Sequence, residues 1–246
     1  MCKIIVMANQ KGGVAKTSST RNLAYSLAEL GKKVLAVDFD PQTNLTISFG
    51  VAPAALQETA ASLMMKLVMD EVLPEKASYI LNIGKVDLLP SKKTLTVAEV
   101  NLLIERKDDC LAKLLAPLRA DYDYILVDTG PSPRARSPST PLLRPDEIII
   151  PVDPELFALV GLKELTETIS KIKQKLNPKV EIIGILFTKC SKRTTLYRQT
   201  SEQVRSVFSH LPIFESQIPA TVQVGTANSK GLSVMELDAK SPAAAA

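Results

Sequence analysis

KIIVMANQKGGVAKTS, residues 3–18, is the stretch that decides the fold. Residues 3–8 read as a strand and residues 9–14 as a turn, with a helix opening near Ala15, Lys16 and Thr17. Strand, glycine turn and helix in that order build a phosphate-binding loop. Gly12 and Gly13 let the backbone fold tightly enough to aim several N–H groups at a phosphate, and the helix N-terminus adds partial positive charge. Lys16 would reach the β and γ phosphates of a nucleotide, and Thr17 would hold Mg2+.

Outward from the loop, Leu23, Leu27 and Leu30 keep helical spacing before Gly31 supplies a stop. A strand over residues 34–37 runs into DFDPQTN, residues 38–44, which places a carboxylate pair just past a strand end, where doubly wound sheets bind ligands. Residues 51–75 are helical in tendency, and Met64, Met65 and Met69 read as core filling. A short strand at 86–89 and helices over 97–104 and 111–118 follow. The apolar strand 122–128 ends in Asp128, an arrangement whose carboxylate holds the water shell of Mg2+. Five prolines (131, 133, 138, 141 and 145) then fall within fifteen residues. Each would cost about 3 kcal/mol inside a helix, so this stretch is either an extended loop or a local corruption of the sequence that leaves the register intact. A strand at 148–150, a helix with Leu162, Leu165, Ile169, Ile172 and Leu176 in an i, i+3, i+4 series, and a buried strand over 180–187 complete the alternation.

At 246 residues and 46% apolar content the chain suits one sizeable α/β domain. Lys and Arg exceed Asp and Glu by 30 to 26, so any basic patch has to be local. Cys2, Cys110 and Cys190 are odd in number and widely spaced, which argues for reduced thiols and against a disulfide framework or zinc site. The single histidine, His210, leaves little for a histidine-based triad. No apolar run approaches the ~20 residues of a membrane span and no signal peptide is readable, so a cytoplasmic protein is expected.

KGGVAKTS lacks two glycines of the generic G-x-x-x-x-G-K-[ST] pattern, with Gln10 and Ala15 in their places, and resembles the deviant KGGxGKT motif of the ParA/MinD family. Ala15 departs from that motif at a position expected to open a right-handed helix, where a methyl fits. DFDPQTN resembles the family's DxDPQxN, residues 150–159 its IPVxPExxAL, Ile218 and Pro219 its IP element near the adenine, and GLSVME (231–236) its GKSVxE. The resemblance covers residues 3–242. It implies a doubly wound α/β fold, a P-loop NTPase with a mostly parallel sheet and helices on both faces, formed as one domain over 1–246. It further implies ATP and Mg2+ as cofactors, with Gly12, Gly13, Val14, Ala15, Lys16, Thr17, Ser18 and Pro219 at the nucleotide. Thr17, Asp38 and Asp128 would serve the metal, and Asp40 would orient the attacking water. Lys11 would reach across an ATP-bound homodimer to the partner's phosphates, and catalysis would be positioning and charge neutralisation by Lys16, Lys11 and Mg2+. Where the family reads DxPPS and then a helix-forming stretch, this chain has its proline-rich segment, which bears on the dimer surface.

Residues 189–205 carry Lys189, Lys192, Arg193, Arg198 and Arg205 against one acid, Glu202. A helix over 194–210 would gather Leu196, Val204, Val207 and Phe208 in an arc of about 120° and turn Arg198 and Arg205 to solvent. With Lys192 and Arg193 they form a candidate phosphate-contacting surface that reads no sequence. The resemblance implies nonspecific binding of double-stranded DNA by the ATP-bound dimer, with nucleoid association, and a ParB-like partner that stimulates hydrolysis. Gln223 stands where many relatives carry a basic residue. The resemblance ends before four alanines; relatives usually continue into one more helix, so an uncovered apolar surface is expected here. Three rivals share the family. A MinD-like membrane-cycling regulator would carry a C-terminal amphipathic basic helix, which is not found. An iron–sulfur reductase needs paired cysteines that Cys110 and Cys190 do not supply. An ATP-switched adaptor would position some other cargo.

Overall fold

The computed structural model describes residues 1–105, 107, 109–131 and 145–246. Among them, strands β1 (Lys3–Met7), β2 (Val34–Phe39), β3 (Leu81–Ile83), β4 (Val86–Leu89), β5 (Tyr124–Thr129), β6 (Glu147–Val152), β7 (Glu181–Cys190) and β8 (Ile213–Pro219) form one sheet in the order β3-β4-β2-β5-β1-β6-β7-β8. Every pairing is parallel except β3 with β4. The helices are α1 (Lys16–Glu29), α2 (Asn44–Ser48), α3 (Ala60–Val68), α4 (Leu95–Ile104), α5 (Cys110–Leu115), α6 (Ala158–Lys175), α7 (Thr195–Val207), α8 (Val222–Ser229) and α9 (Val234–Asp238).

The central strands are apolar runs because both of their faces are covered, and all of β2 is buried. Alternate residues divide between two cores. Ile4, Val6, Leu35, Val37, Ile125 and Val127 face α3 to α7, whereas Ile5, Met7, Val34, Ala36 and Leu126 face α1 and α2. On the first face α6 buries Leu162, Leu165, Ile169 and Ile172, as its spacing requires. Truncating one of these, such as Ile169→Ala, would cost about 2–5 kcal/mol.

Several elements differ from the sequence reading. The inward face of α1 is Lys16, Thr20, Arg21 and Ala24; Leu23 and Leu27 are half-buried, and Leu30 is 76% exposed beside the Gly31 stop. Close packing on β2 and β5 favours that small and polar face over leucines. Met64 is core, but Met69 is exposed at the end of α3. Helix α7 is rotated from the expected arc: Tyr197, Thr200, Ser201 and Val204 point inward, with Phe208 buried just beyond, while Leu196 and Val207 are exposed. Tyr197 decides the rotation, since its ring is buried while its hydroxyl still reaches Gln217 Oε1 at 2.7 Å. Strand β3 escaped the sequence reading, as did β8 apart from Ile218 and Pro219. Asp38 lies inside β2, not beyond its end, and faces Asp128 of β5 in register. Of the proline-rich segment, residues 132–144 lie outside the described residues.

Candidate active site

The loop between β1 and α1 sits at the C-terminal end of the central strand. Asn9 fixes it from within: its side-chain amide donates to Pro151 O at 2.7 Å and its Oδ1 accepts from Lys11 N at 2.9 Å. Thr188 pins the far side, its hydroxyl donating to Val14 O at 3.0 Å. Gly13 takes φ +74°, a conformation that glycine adopts without cost. Ala15 takes φ +64° and ψ +28°, so the residue expected to open a right-handed helix is instead left-handed, and the helix proper begins at Lys16. The turn has to reverse the chain between loop and helix, and Ala15 is where it does so. Lys16 is buried, and its Nζ donates to Asn9 O at 2.9 Å and Lys11 O at 3.2 Å. Burial lowers its pKa, opposed by the charges of Asp128 and Asp40.

Beneath the loop, Thr17 Oγ1 donates to Asp128 Oδ2 at 2.6 Å. Asp128 is fully buried, and its Oδ1 has no hydrogen-bond partner among the described residues. Burial and then the neighbouring Asp38 charge push its carboxyl up to about 8. Asp38 accepts from Asp40 N at 3.1 Å, Thr46 N at 2.8 Å and Thr46 Oγ1 at 2.6 Å, and burial still lifts it to about 6. Thus Thr46 occupies Asp38, and Asp128 has the open oxygen. A buried carboxylate with an unpaired oxygen beside a threonine hydroxyl fits Mg2+, which takes one or two protein ligands and keeps several waters. No group of three or more His, Cys, Asp or Glu that could hold a metal ion is found among the described residues.

Asp40 is buried just past β2, and its Oδ1 accepts from Gln42 N at 2.9 Å. Gly130 is the close neighbour that makes room for it, since a Cβ there would lie 3.0 Å from Asp40 Oδ1. Sequence reasoning missed Gly130, Thr46 and Glu99. Glu99, half-buried on α4, has its carboxyl pushed up to about 7 by burial and then by the Asp40 charge. Its one signal was a lone acid in the apolar run VAEVNLLI. Arg21 was also missed. Buried on α1 over the Phe49 ring, it donates to Gly231 O at 2.6 Å and to Ser48 O, tying the loop helix to the ends of α2 and α8.

A cavity of about 810 Å3 opens from the loop, with Gly12, Gly13, Ala15, Lys16, Thr17 and Ser18 at one end. Pro219 and Thr221 also line it, and Leu186 and Phe214 are among its apolar lining residues. Val14 is buried and does not line it. Lys11 does not line the cavity; its partly exposed Nζ pairs with Glu155 Oε2 at 2.5 Å. That ion pair lowers the Glu155 pKa, while burial and the Glu155 charge raise that of Asp153.

The basic face is less free than its composition suggests. Lys192 and Arg193 are exposed, but Arg198 Nε donates to Lys192 O at 3.2 Å. Arg198 and Arg205 are exposed, as expected, and the Arg205 guanidinium lies 5.1 Å from the centre of the Phe187 ring. Gln223 donates to Asp238 Oδ2 at 2.9 Å. No helix among the described residues is long and apolar enough to cross a membrane.

An AAA domain family matches residues 2–182. The chromosome partitioning protein ParA of Myxococcus xanthus is 34% identical over 97% of this chain and 83% of its own length. The sporulation initiation inhibitor protein Soj of Bacillus subtilis is 34% identical over 98% of this chain and 93% of its own. A crystal structure of cobyrinic acid a,c-diamide synthase from Mycobacterium smegmatis, with an ATP analogue and magnesium bound, is 31% identical and superposes with a TM-score of 0.80 over 90% of this chain and 86% of that one. The family model spans most of the chain and these relatives match it over nearly its whole length, and the chain belongs to the ParA/Soj branch of the ParA/MinD family of AAA-domain P-loop proteins.

Proposed function

We propose that the chain is one ATPase domain that binds ATP with Mg2+, dimerises on doing so, binds DNA without sequence preference as the dimer, and drives partition of a plasmid or chromosome with a ParB-like partner. The observation that carries the nucleotide half is the pair Thr17–Asp128 with its unpartnered Oδ1 under a glycine loop. Lys16 would bind the phosphates, exchanging its two carbonyl partners for them. Asp40, its orientation fixed by the Gln42 amide, would hold the attacking water. Mg2+, held by Thr17 and Asp128, would supply charge that offsets the phosphates. The dimer half is supported by Lys11, whose side chain leaves the loop to pair with Glu155, and by Leu156 and Phe157, each 69% exposed, with exposed Val160 close by in the chain. An ATP-switched adaptor for another cargo is the second reading, favoured by the intramolecular contacts that engage Arg198, Arg205 and Gln223.

Sedimentation velocity with ATP, ADP and no nucleotide, alongside phosphate release, tests this reading. Wild type should dimerise only with the triphosphate. Lys16→Ala should lose nucleotide binding, and Lys11→Ala should bind ATP as a monomer. A wild type that stays monomeric with ATP bound would overturn the dimer, and nucleotide affinity retained by Lys16→Ala would overturn the loop assignment.

A further inference from the structure

Lys189 lies outside every motif that defines the loop, yet the fold delivers it there. The β7–β8 register shifts between Phe187 and Cys190, and within that irregularity Lys189 takes φ +52°. A left-handed residue that is not glycine costs roughly 1–2 kcal/mol, and bulges commonly re-aim a side chain beside a functional site. The neighbours hold it there: the Thr188 hydroxyl is bonded to Val14 O at 3.0 Å, and Ala220 N donates to Cys190 O at 3.2 Å. The re-aimed side chain lines the cavity, with Nζ 4.0 Å from where a Cβ on Gly13 would stand. The ammonium thus stands beside Gly13 of the loop.

Its acidic neighbour is Asp153, at a long 3.5 Å from Nζ to Oδ2. Asp153 lies two residues before Glu155, which holds Lys11. One acidic turn after β6 therefore holds both lysines at the mouth of the phosphate loop. A loosely paired, half-exposed ammonium against a bare glycine of such a loop is placed to exchange a carboxylate for a phosphate, which accepts charge-assisted hydrogen bonds on more oxygens.

We propose that Lys189 is a second in-chain phosphate-contacting lysine, released from Asp153 when a nucleoside polyphosphate occupies the loop. The proposal rests on the nucleotide-binding reading above. It adds a cation from β7 to the cation of α1, so the phosphates would be gripped from two elements, and the tail of β7 would respond to their presence.

Affinities of adenosine, AMP, ADP and ATP for wild type, Lys189→Met and Lys189→Arg, measured by calorimetry and competition, test it. Lys189→Met should weaken ADP and ATP by about tenfold, leave adenosine and AMP within about twofold, and be largely rescued by Lys189→Arg. In unmodified wild type, ADP or ATP should slow acylation of Lys189 several-fold, read by mass spectrometry, which needs no variant to fold. Unchanged ATP affinity in Lys189→Met, an equal loss for adenosine, or acylation indifferent to nucleotide would each overturn the proposal. A wild type that binds no nucleotide would instead overturn the reading beneath it, and this proposal with it.

Discussion

Ala15 holds a left-handed conformation, φ +64°, at the junction of loop and helix, where a side chain costs roughly 1–2 kcal/mol that glycine avoids. Ala15→Gly should therefore raise stability by about 1 kcal/mol, a gain of about 2–4 °C in melting temperature for a chain of this size. An unchanged or lower melting temperature would show that the strain is relieved elsewhere. Asp128 gives a pH prediction. Its folded pKa of about 8 lies above its ordinary 3.8, so between those values the folded state binds a proton that the unfolded chain has released. Stability must fall as pH rises through that window, and the loss is complete above about 8. Metal-free wild type should lose melting temperature from pH 5 to 8.5 more steeply than Asp128→Asn, and Mg2+ should stabilise wild type more at pH 8 than at pH 6; identical profiles would contradict the assignment. At this scale Lys16, Thr17 and Asp128 were legible because phosphate and metal chemistry restrict which residues can stand at a loop and at a strand end, whereas Asp40 was singled out by the family resemblance. The sequence could not show the handedness of Ala15 or the burial of Glu99, since both depend on what packs around them.

Among the elements, strands were the most legible and helix faces the least. Buried parallel strands announce themselves as apolar runs, whereas α1 hides a face of Thr20, Arg21 and Ala24 that no hydrophobic pattern marks. Helix α7 misled for the opposite reason: Leu196 and Val207 look like core but lie outside, because Tyr197 and Thr200 fill the space under the helix. Strand β8 was obscured by its edge position, which admits Glu215 to a strand whose apolar residues are only half-buried. Its ring Phe214 leans over β7 so closely that a Cβ on Gly184 would lie 2.4 Å from it. Gly184→Ala should cost about 1–3 kcal/mol, and adding Phe214→Leu should recover part of that loss in a thermal-melt cycle. Additive losses would mean that the ring already has room to turn.

For the molecule as a whole, the fold alone does not choose the function. A protein named cobyrinic acid a,c-diamide synthase superposes with a TM-score of 0.80, while relatives of similar identity are named for chromosome partitioning and for inhibition of sporulation. What would distinguish the readings is whether the basic face of α7, with the turn before it, binds DNA. Exchanging Arg193 and Arg198 for alanine should weaken binding to duplex DNA at low salt and reduce its salt dependence by up to about two phosphate contacts, with ATP affinity unchanged. If DNA binding is unaltered, the contact surface lies elsewhere. The linked claim, from deviant loop to dimer to DNA, is tested most directly by one titration. Random-sequence duplex DNA is presented to the wild-type protein with ADP, ATP or a slowly hydrolysed ATP analogue across a salt series. The account predicts tight, salt-sensitive binding with the triphosphates alone. Equal binding in all three states, or none despite confirmed ATP uptake, would contradict it.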